Sequence, residues 1–424
     1  QALLVLAYTE LFQATHKEEY KKTAQEVLTY VIRDMTDPAG GFYSAEDADS
    51  EGVEGKFYLW TPEEIEALLD AEDARIVLKA YNVKKEGNFI EQTIGHLTGE
   101  NILNLNKSWD ELSAELGLTP DEIPRRLEVS RERLFSYREK RVHPYKDDKV
   151  LTDWNGLMIA ALAKGAQVFG EPLYAEAAKS AVDFILKNLR KPDGGLLHRY
   201  RAGEAGLPAH IDDYAFLIWG LVELYEATFD PAALQVAVDL NQYCLDHFWD
   251  DKNGGFFFTS DQGEELRVRS KEIYDGASPS GNSVAMLNLL RLARITGNPD
   301  WEQRAARIAR AFSHNVSQAP SAYSFLMTAL NFAIGPSFEV VVAGNLQAED
   351  TLNMLRSIRS EFLPNKVLLF RPAEEEAPEI SRIAPFTLRQ TALQNKATAY
   401  VCRNQVCDSP LTDVPAMMKL VGDL

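Results

Sequence analysis

One turn signature occurs three times in this chain, and its spacing restricts the fold more than any other feature. It reads DPAGGFYS from Asp37, KPDGGLLH from Lys191 and DKNGGFFF from Asp251. Each copy follows a long amphipathic segment, Tyr20 to Met35, Leu173 to Leu189 and Ala233 to Trp249, and after each the chain enters an apolar helix. Paired glycines supply the positive φ that ends a helix, and the aromatic or aliphatic run behind them reads as a short strand entering a hairpin. Gly195 to Gly255 is 60 positions, Asp153 to Asp213 is 60, and Asp213 to Asn282 is 69. A unit of that length holds two helices and a loop, longer than the ~34 to 47 residues of common helical solenoid repeats.

The two helices of a unit differ in character. Segments starting at Asp153, Asp212 and Ser280 are apolar almost all round, which suits an inner helix packed on both sides. Their partners, EPLYAEAAKSAVDFILKNL and NPDWEQRAARIARAFSHNV among them, carry a charged face and suit an outer ring. Alternating inner and outer helices with hairpins at one rim predict a mainly α chain folded as an (α/α) toroid over residues 1–335. Ten long helices are expected there, near 1–16, 18–36, 121–140, 153–170, 172–190, 211–228, 230–248, 280–296, 299–315 and 319–333. A closed six-hairpin barrel has two more. The start QALLVLAYTELFQAT lacks a capping residue, and together with the helix count it leads to the expectation of a ring incomplete at its N-terminus. Between Ser44 and Pro120 an insertion with a KFYLW strand and a TPEEIEALL helix start is expected to cover one mouth of the ring. From Pro336 the pattern becomes strand, helix, strand, strand, helix (SFEVVVAG, AEDTLNMLRSIRSEFLPN, KVLLF, KATAYVC, DVPAMMKLVGDL), a small α/β domain over 336–424.

Charge and cysteine usage narrow the partners. Sixty-three acidic against 44 basic residues give a net charge of −19, which argues against nucleic acid or an anionic membrane as the main partner. The longest apolar stretches fall short of the ~20 residues a membrane span needs. Three cysteines, Cys244, Cys402 and Cys407, make no disulfide framework and point to a reducing compartment, the cytoplasm by default. Cys402 and Cys407 flank RNQV, which reads as a hairpin tip with a cross-strand thiol pair.

Polar residues concentrate where the apolar helices begin, the ends expected to face a central cavity. Asp153, Trp154 and Asn155 open one helix; His210, Asp212, Asp213 and Tyr214 the next; Tyr274, Asp275, Ser280 and Asn282 a third. Carboxylates beside aromatic rings suit a sugar, since rings stack on Trp or Tyr while hydroxyls bond carboxylate and amide oxygens. Asp, Ser and Asn are also ordinary N-caps, so each alone has a structural explanation. The convergence of three such clusters is what points to a shared pocket. A further acidic cluster, Glu46, Asp47 and Asp49, directly follows a repeat turn and is expected at the cavity mouth; DADSEG lacks the EF-hand pattern. His198 and His210 lie on the hairpin rim as general-base candidates. Asp153, Asp213, His210, Asp275 and Glu46 are the candidates for catalysis; Trp154, Asn155, Asp47, Asp49, His198, Asp212, Tyr214, Tyr274, Ser280 and Asn282 for substrate binding. No phosphate loop, dinucleotide fingerprint, nucleophile elbow or complete metal-ligand set is present, so no cofactor and no metal are expected.

The strings GGFYSAEDADSEGVEGKFYLWT, LTDWNGLMIAALAKG and YDGASPSGNSVA strongly resemble the spermatogenesis-associated, thioredoxin-domain-containing family that includes bacterial YyaL-type proteins. The resemblance extends over essentially the whole chain. It implies a thioredoxin-like domain ahead of a six-hairpin toroid similar to glycosidases and N-acylglucosamine 2-epimerase; this chain has no CxxC-type thioredoxin motif at its start, so no redox role passes to these residues. Three functions stay open at this point: a carbohydrate-active toroid, as glycoside hydrolase or sugar epimerase; a module that binds a saccharide without turnover; and a platform whose activity lies in the thioredoxin-like part.

Overall fold

Apolar residues at helical spacing produce two concentric sets of helices in the computed structural model, which describes residues 1–90, 95–263, 266–403 and 406–422. The inner set is α1 (Ala2–Thr15), α3 (Thr152–Phe169), α5 (Ile211–Thr228), α7 (Gly281–Thr296) and α9 (Ser324–Ile334), each packed on the next in that order. The outer set is α2 (Glu18–Asp34), α4 (Pro172–Asn188), α6 (Pro231–His247) and α8 (Pro299–Gln318), each packed on the inner helix that precedes it in sequence. Helix α5 is buried at every position from Asp213 to Glu226. Helix α8 buries one stripe only, Trp301, Ala305, Ile308, Phe312 and Val316, and turns its charged residues outward. The chain is thus mainly helical, of the (α/α)6 toroid type, with a small sheet region after Gly335.

Two glycines set how closely α3 and α5 approach. A Cβ on Gly156 would lie 2.5 Å from the Leu217 nitrogen, and one on Gly220 would lie 2.7 Å from the Gly156 carbonyl oxygen. The two backbones therefore come into direct contact here.

The three repeated turns are held by one device in two chemical versions, an amide or a phenol. Asn155 Oδ1 accepts the Phe42 N–H at 2.8 Å, and its Nδ2 donates to the Phe42 carbonyl at 3.0 Å. Asn282 does the same for Phe256, at 2.7 and 2.9 Å. Between them the Tyr214 hydroxyl accepts the Leu196 N–H at 2.7 Å. These residues define the true register: Asn155 to Tyr214 is 59 positions and Tyr214 to Asn282 is 68. The expected spacings of 60 and 69 matched Asp213 to its neighbours' helices one position out, because its carboxylate resembles Asp153 while its place in the helix is that of Trp154.

Contact between residues divides the chain into two units, Gln1–Ser44 with Asp148–Leu424, and Ala45–Asp147. The helix Glu122–Arg138, expected in the ring, belongs to the second unit, so the ring has nine long helices among the described residues rather than ten. That unit has its own core around Trp60, Ile65, Val77, Leu112 and Leu127. Capping boxes at Thr61 with Glu64 and at Ser108 with Glu111 start two of its helices. KFYLW is not a strand: Lys56–Tyr58 is a 3-10 turn entered from Gly55 in the left-handed region, with Phe57 buried.

The sheet after Gly335 packs within the same unit as the ring. Its strands are β3 (Phe338–Gly344), β4 (Lys366–Pro372), β5 (Thr398–Arg403) and β6 (Val406–Cys407), in the order β6-β5-β3-β4; β3 and β4 are parallel across the helix Glu349–Ser360. The hairpin between α4 and α5 is formed by β1 (Leu197–Arg201) and β2 (Glu204–Pro208). Cys402 and Cys407 face each other across β5 and β6 and are joined as a disulfide, where paired thiols were expected; the intervening tip, residues 404–405, lies outside the described residues. No helix among the described residues is long and apolar enough to cross a membrane.

Candidate functional site

The site grows from one buried carboxylate. Asp213, in the first turn of α5, is 1% exposed and gathers three chain segments. Its Oδ1 accepts the Asp153 N–H of α3 at 3.0 Å, and its Oδ2 accepts the His210 N–H at 2.8 Å. The third donor is His198 of β1, whose Nδ1 lies 2.9 and 3.1 Å from the two oxygens. Strand β1 is brought there because Val150 and Leu151 pair with Tyr200 and Arg199, and Thr152 Oγ1 donates to the Leu197 carbonyl at 2.7 Å.

The two imidazoles meet edge to face, with ring centroids 5.6 Å apart. Their environments differ. The Asp213 hydrogen bond raises the His198 pKa above the ordinary histidine value, and the charges of Asp213 and Asp153 add to the effect. His210 lies flat on Phe258, with centroids 4.4 Å apart and planes 19° from parallel, and burial lowers its pKa. Both rings remain partly accessible, the His198 side chain at 21% and the His210 side chain at 35%.

Two further carboxyl groups stand close by. Asp153 Oδ1 accepts the Trp154 N–H at 2.8 Å, and burial together with the Asp213 charge pushes its pKa up to about 6. Asp212 Oδ1 accepts the Gly281 N–H of α7 at 2.8 Å, and burial with repulsion from Asp213, Asp153 and Glu272 pushes it up to about 7. The Gly281 contact needs glycine, since a Cβ there would sit 2.2 Å from Asp212 Oδ1.

The remaining sequence candidates have other positions. Asn155, Tyr214 and Asn282 are buried, and their polar atoms are occupied by the turn backbone described above. Asp275 accepts the Ser280 N–H with Oδ1, and the Phe325 and Leu326 N–H groups with Oδ2, which joins the starts of α7 and α9. Ser280 caps α7 through the Ser283 N–H. These five side chains tie turn backbone and helix starts together. Trp154 and Tyr274 are exposed, at 47% and 67%. Glu46, Asp47 and Asp49 lie in the second unit, where Glu46 accepts from the Tyr58 hydroxyl at 3.3 Å and Asp47 Oδ1 accepts the Asp49 N–H at 3.3 Å. Phe258 and Glu272 were not legible as site residues, because neither sits at a helix start.

His198, His210 and Asp213 offer ligand atoms within 4.8 Å of one another, a spacing compatible with a metal ion. Asp213 already accepts hydrogen bonds from two backbone N–H groups and the His198 ring.

The Asp213 cluster falls within one stretch of recognisable sequence. Residues 137–324 match the N-acylglucosamine 2-epimerase (GlcNAc 2-epimerase) family. Spermatogenesis-associated protein 20 of Homo sapiens is 34% identical over 448 aligned positions, which cover 99% of this chain and 57% of the human protein. The Rattus norvegicus protein of the same name is 33% identical with the same coverage. The chain therefore spans little more than half the length of these relatives. Among solved structures it is similar to cellobiose 2-epimerase from Bacillus thermoamylovorans, at 18% identity and TM-score 0.34 over 40% of this chain and 46% of that one. It is also similar to a C. acetobutylicum glycoside hydrolase of family 105, at 14% identity and TM-score 0.36 over 73% of this chain and 75% of that one. Scores this low carry no inference about activity.

Proposed function

We propose that the Asp213 cluster is a proton-transfer site acting on a carbohydrate, of the epimerase or isomerase type. The observation that carries this reading is the pair of touching imidazoles with oppositely displaced pKa values, because a pair of titratable groups pushed apart by their surroundings supplies an acid and a base at one pH. In this reading His210, kept neutral by burial against Phe258, takes a proton from the carbon next to the sugar carbonyl. His198, kept protonated by Asp213, donates through its other ring nitrogen. Asp213 does not touch substrate; it orients both histidines and the start of α3. The match of residues 137–324 to the 2-epimerase family supports the same class.

The test is incubation of the chain with aldoses and N-acylhexosamines in heavy water, followed by proton NMR. Deuterium entering at C2 of a sugar supports the reading, and Asp213→Asn should slow it by about 10²- to 10⁴-fold, as expected for a mispositioned acid/base pair. Absence of exchange with every sugar of the panel contradicts it.

A second reading is favoured by one specific observation. Asp153 at about 6 and Asp212 at about 7 keep carboxyl protons near neutral pH, which is what the general acid of a glycoside hydrolase needs. Release of reducing ends from an oligosaccharide, with no deuterium at C2, would select hydrolysis. Saccharide binding without either product would select a binding module or platform.

A further inference from the structure

Two imidazoles and a carboxylate, the side chains that most often share a transition-metal ion, meet at Asp213. The sequence hides the set, because His198 and His210 stand 12 positions apart at opposite ends of the β1–β2 hairpin. In the fold the ligand atoms of all three residues lie within 4.8 Å of one another. His198 Nδ1 is 2.9 Å from Asp213 Oδ1, and His210 Nδ1 is 3.9 Å from Asp213 Oδ2. Ligands at zinc distances of about 2.0–2.2 Å, arranged as a tetrahedron, stand about 3.3 Å apart. The His198 contact is already inside that spacing, and the His210 contact is about 0.6 Å outside it, a gap that a small swing of the partly exposed His210 ring closes. Asp213 has the capacity for a cation. A carboxylate offers about four lone-pair sites, and the Asp153 and His210 N–H groups take one on each oxygen. The His198 ring nitrogen faces both oxygens, so its proton holds the place that a cation takes. The same N–H groups fix the carboxylate, and Phe258 beneath His210 fixes that ring, the outer support on which metal ligands depend.

We propose that His198, His210 and Asp213 bind a divalent cation of the zinc class, with a fourth position left for water, and that the bound cation switches the proton-transfer site off. Two imidazoles with one carboxylate suit zinc, whereas magnesium and calcium take oxygen ligands. The cation replaces the proton between His198 and Asp213, and that proton leaves to solvent. His198 is then a neutral, metal-bound imidazole, a far poorer acid than imidazolium. His210, giving one nitrogen to the metal, keeps its proton on the other and has no lone pair left to take a proton from carbon. Cation and proton transfer therefore exclude each other at the same three side chains. The switching half of the proposal rests on the reading of the two histidines as an acid/base pair; the cation site itself rests on the geometry of the three ligands.

The experiment takes the whole chain, without an affinity tag and stripped by a chelator, and titrates it with Zn2+ by calorimetry and with Co2+ by visible absorption. Expected is one Zn2+ per chain, saturating at micromolar metal, with the affinity falling about tenfold or more in His198→Gln and in His210→Gln. His247→Gln removes a histidine that pairs with Asp261 instead, and it should leave the affinity unchanged. In the deuterium-exchange assay, saturating Zn2+ should slow exchange by about 10²-fold or more, and a chelator should restore it. No binding at micromolar metal, or an affinity that is the same in both cluster variants, overturns the proposal. Zinc held by the three residues with exchange undiminished overturns the switch. Zinc binding lost in the two variants, in a chain that shows no exchange even when metal-free, supports the cation site and contradicts the carbohydrate reading.

Discussion

At the scale of single residues, Asp213 organises the site and the surrounding carboxyl groups pay in stability for being near it. Asp212 has a folded pKa of about 7 against an ordinary carboxylate value of 3.8, so the folded chain binds the proton more tightly than the unfolded one. Its contribution to stability is thus present at low pH and is lost as pH rises from that ordinary value through about 7. Asp212→Asn should melt higher than the parent at pH 8, by about 1–2 kcal/mol, and differ little at pH 4; thermal melts at the two pH values check this. Activity has the complementary dependence. It should rise with pH as His210 loses its proton below the ordinary histidine value, and fall again as His198 loses its proton above that value, giving a bell in kcat/KM. The helix-start carboxylates, Asp153, Asp212 and Asp213, could be found in the sequence because Asp is conspicuous before an apolar run. Their division of labour could not, since burial and partner choice depend on residues 15 to 60 positions away, such as His198 and Asp153 around Asp213.

At the scale of elements, the repeat was legible because each GG turn must be tied to the next inner helix, and the tie uses a fixed position. What the sequence hid was that amide and phenol do the same work there. Asn155→Ala removes both hydrogen bonds to Phe42 and leaves its buried N–H without a partner, which should cost about 2–4 kcal/mol in chemical denaturation. Tyr214→Phe removes one bond and should cost about 1–3 kcal/mol. The close approach of α3 and α5 is similarly specific: Gly156→Ala drives a methyl group into the α5 backbone and should destabilise by about 2–3 kcal/mol, measured the same way. The helix Glu122–Arg138 joins the core of the second unit and not the ring, a choice its amphipathic spacing does not encode, since that spacing reports a buried face without reporting which core it joins.

At the scale of the whole molecule, a buried charge network joins the ring to the sheet. Arg291 of α7 pairs with Glu223 at 2.6 Å and Glu226 at 2.9 Å, and Lys366 of β4 reaches Glu226 at 3.0 Å. Burial alone would raise the Glu223 pKa, but Arg291, Lys164 and Lys366 outweigh it and hold it at about 2. That stabilisation is present above the ordinary carboxylate value and is lost only as pH falls toward about 2. Arg291→Met leaves buried Glu223 without its ion-pair partner and Glu226 with Lys366 alone, and should cost about 3–5 kcal/mol by denaturant titration. Nothing of this network is legible in the sequence beyond two glutamates one turn apart on an apolar helix, because their partners come from α7 and β4. The ring, the turns and this network hold α3, β1 and α5 so that one carboxylate meets two imidazoles. The most direct measurement is therefore an NMR titration of the His198 and His210 ring protons, assigned with His198→Gln and His210→Gln. Expected is His198 titrating above free histidine and His210 below it, with the two values drawing together in Asp213→Asn. Titration of both rings at one pH, or in the reverse order, would contradict an acid/base pair built on Asp213.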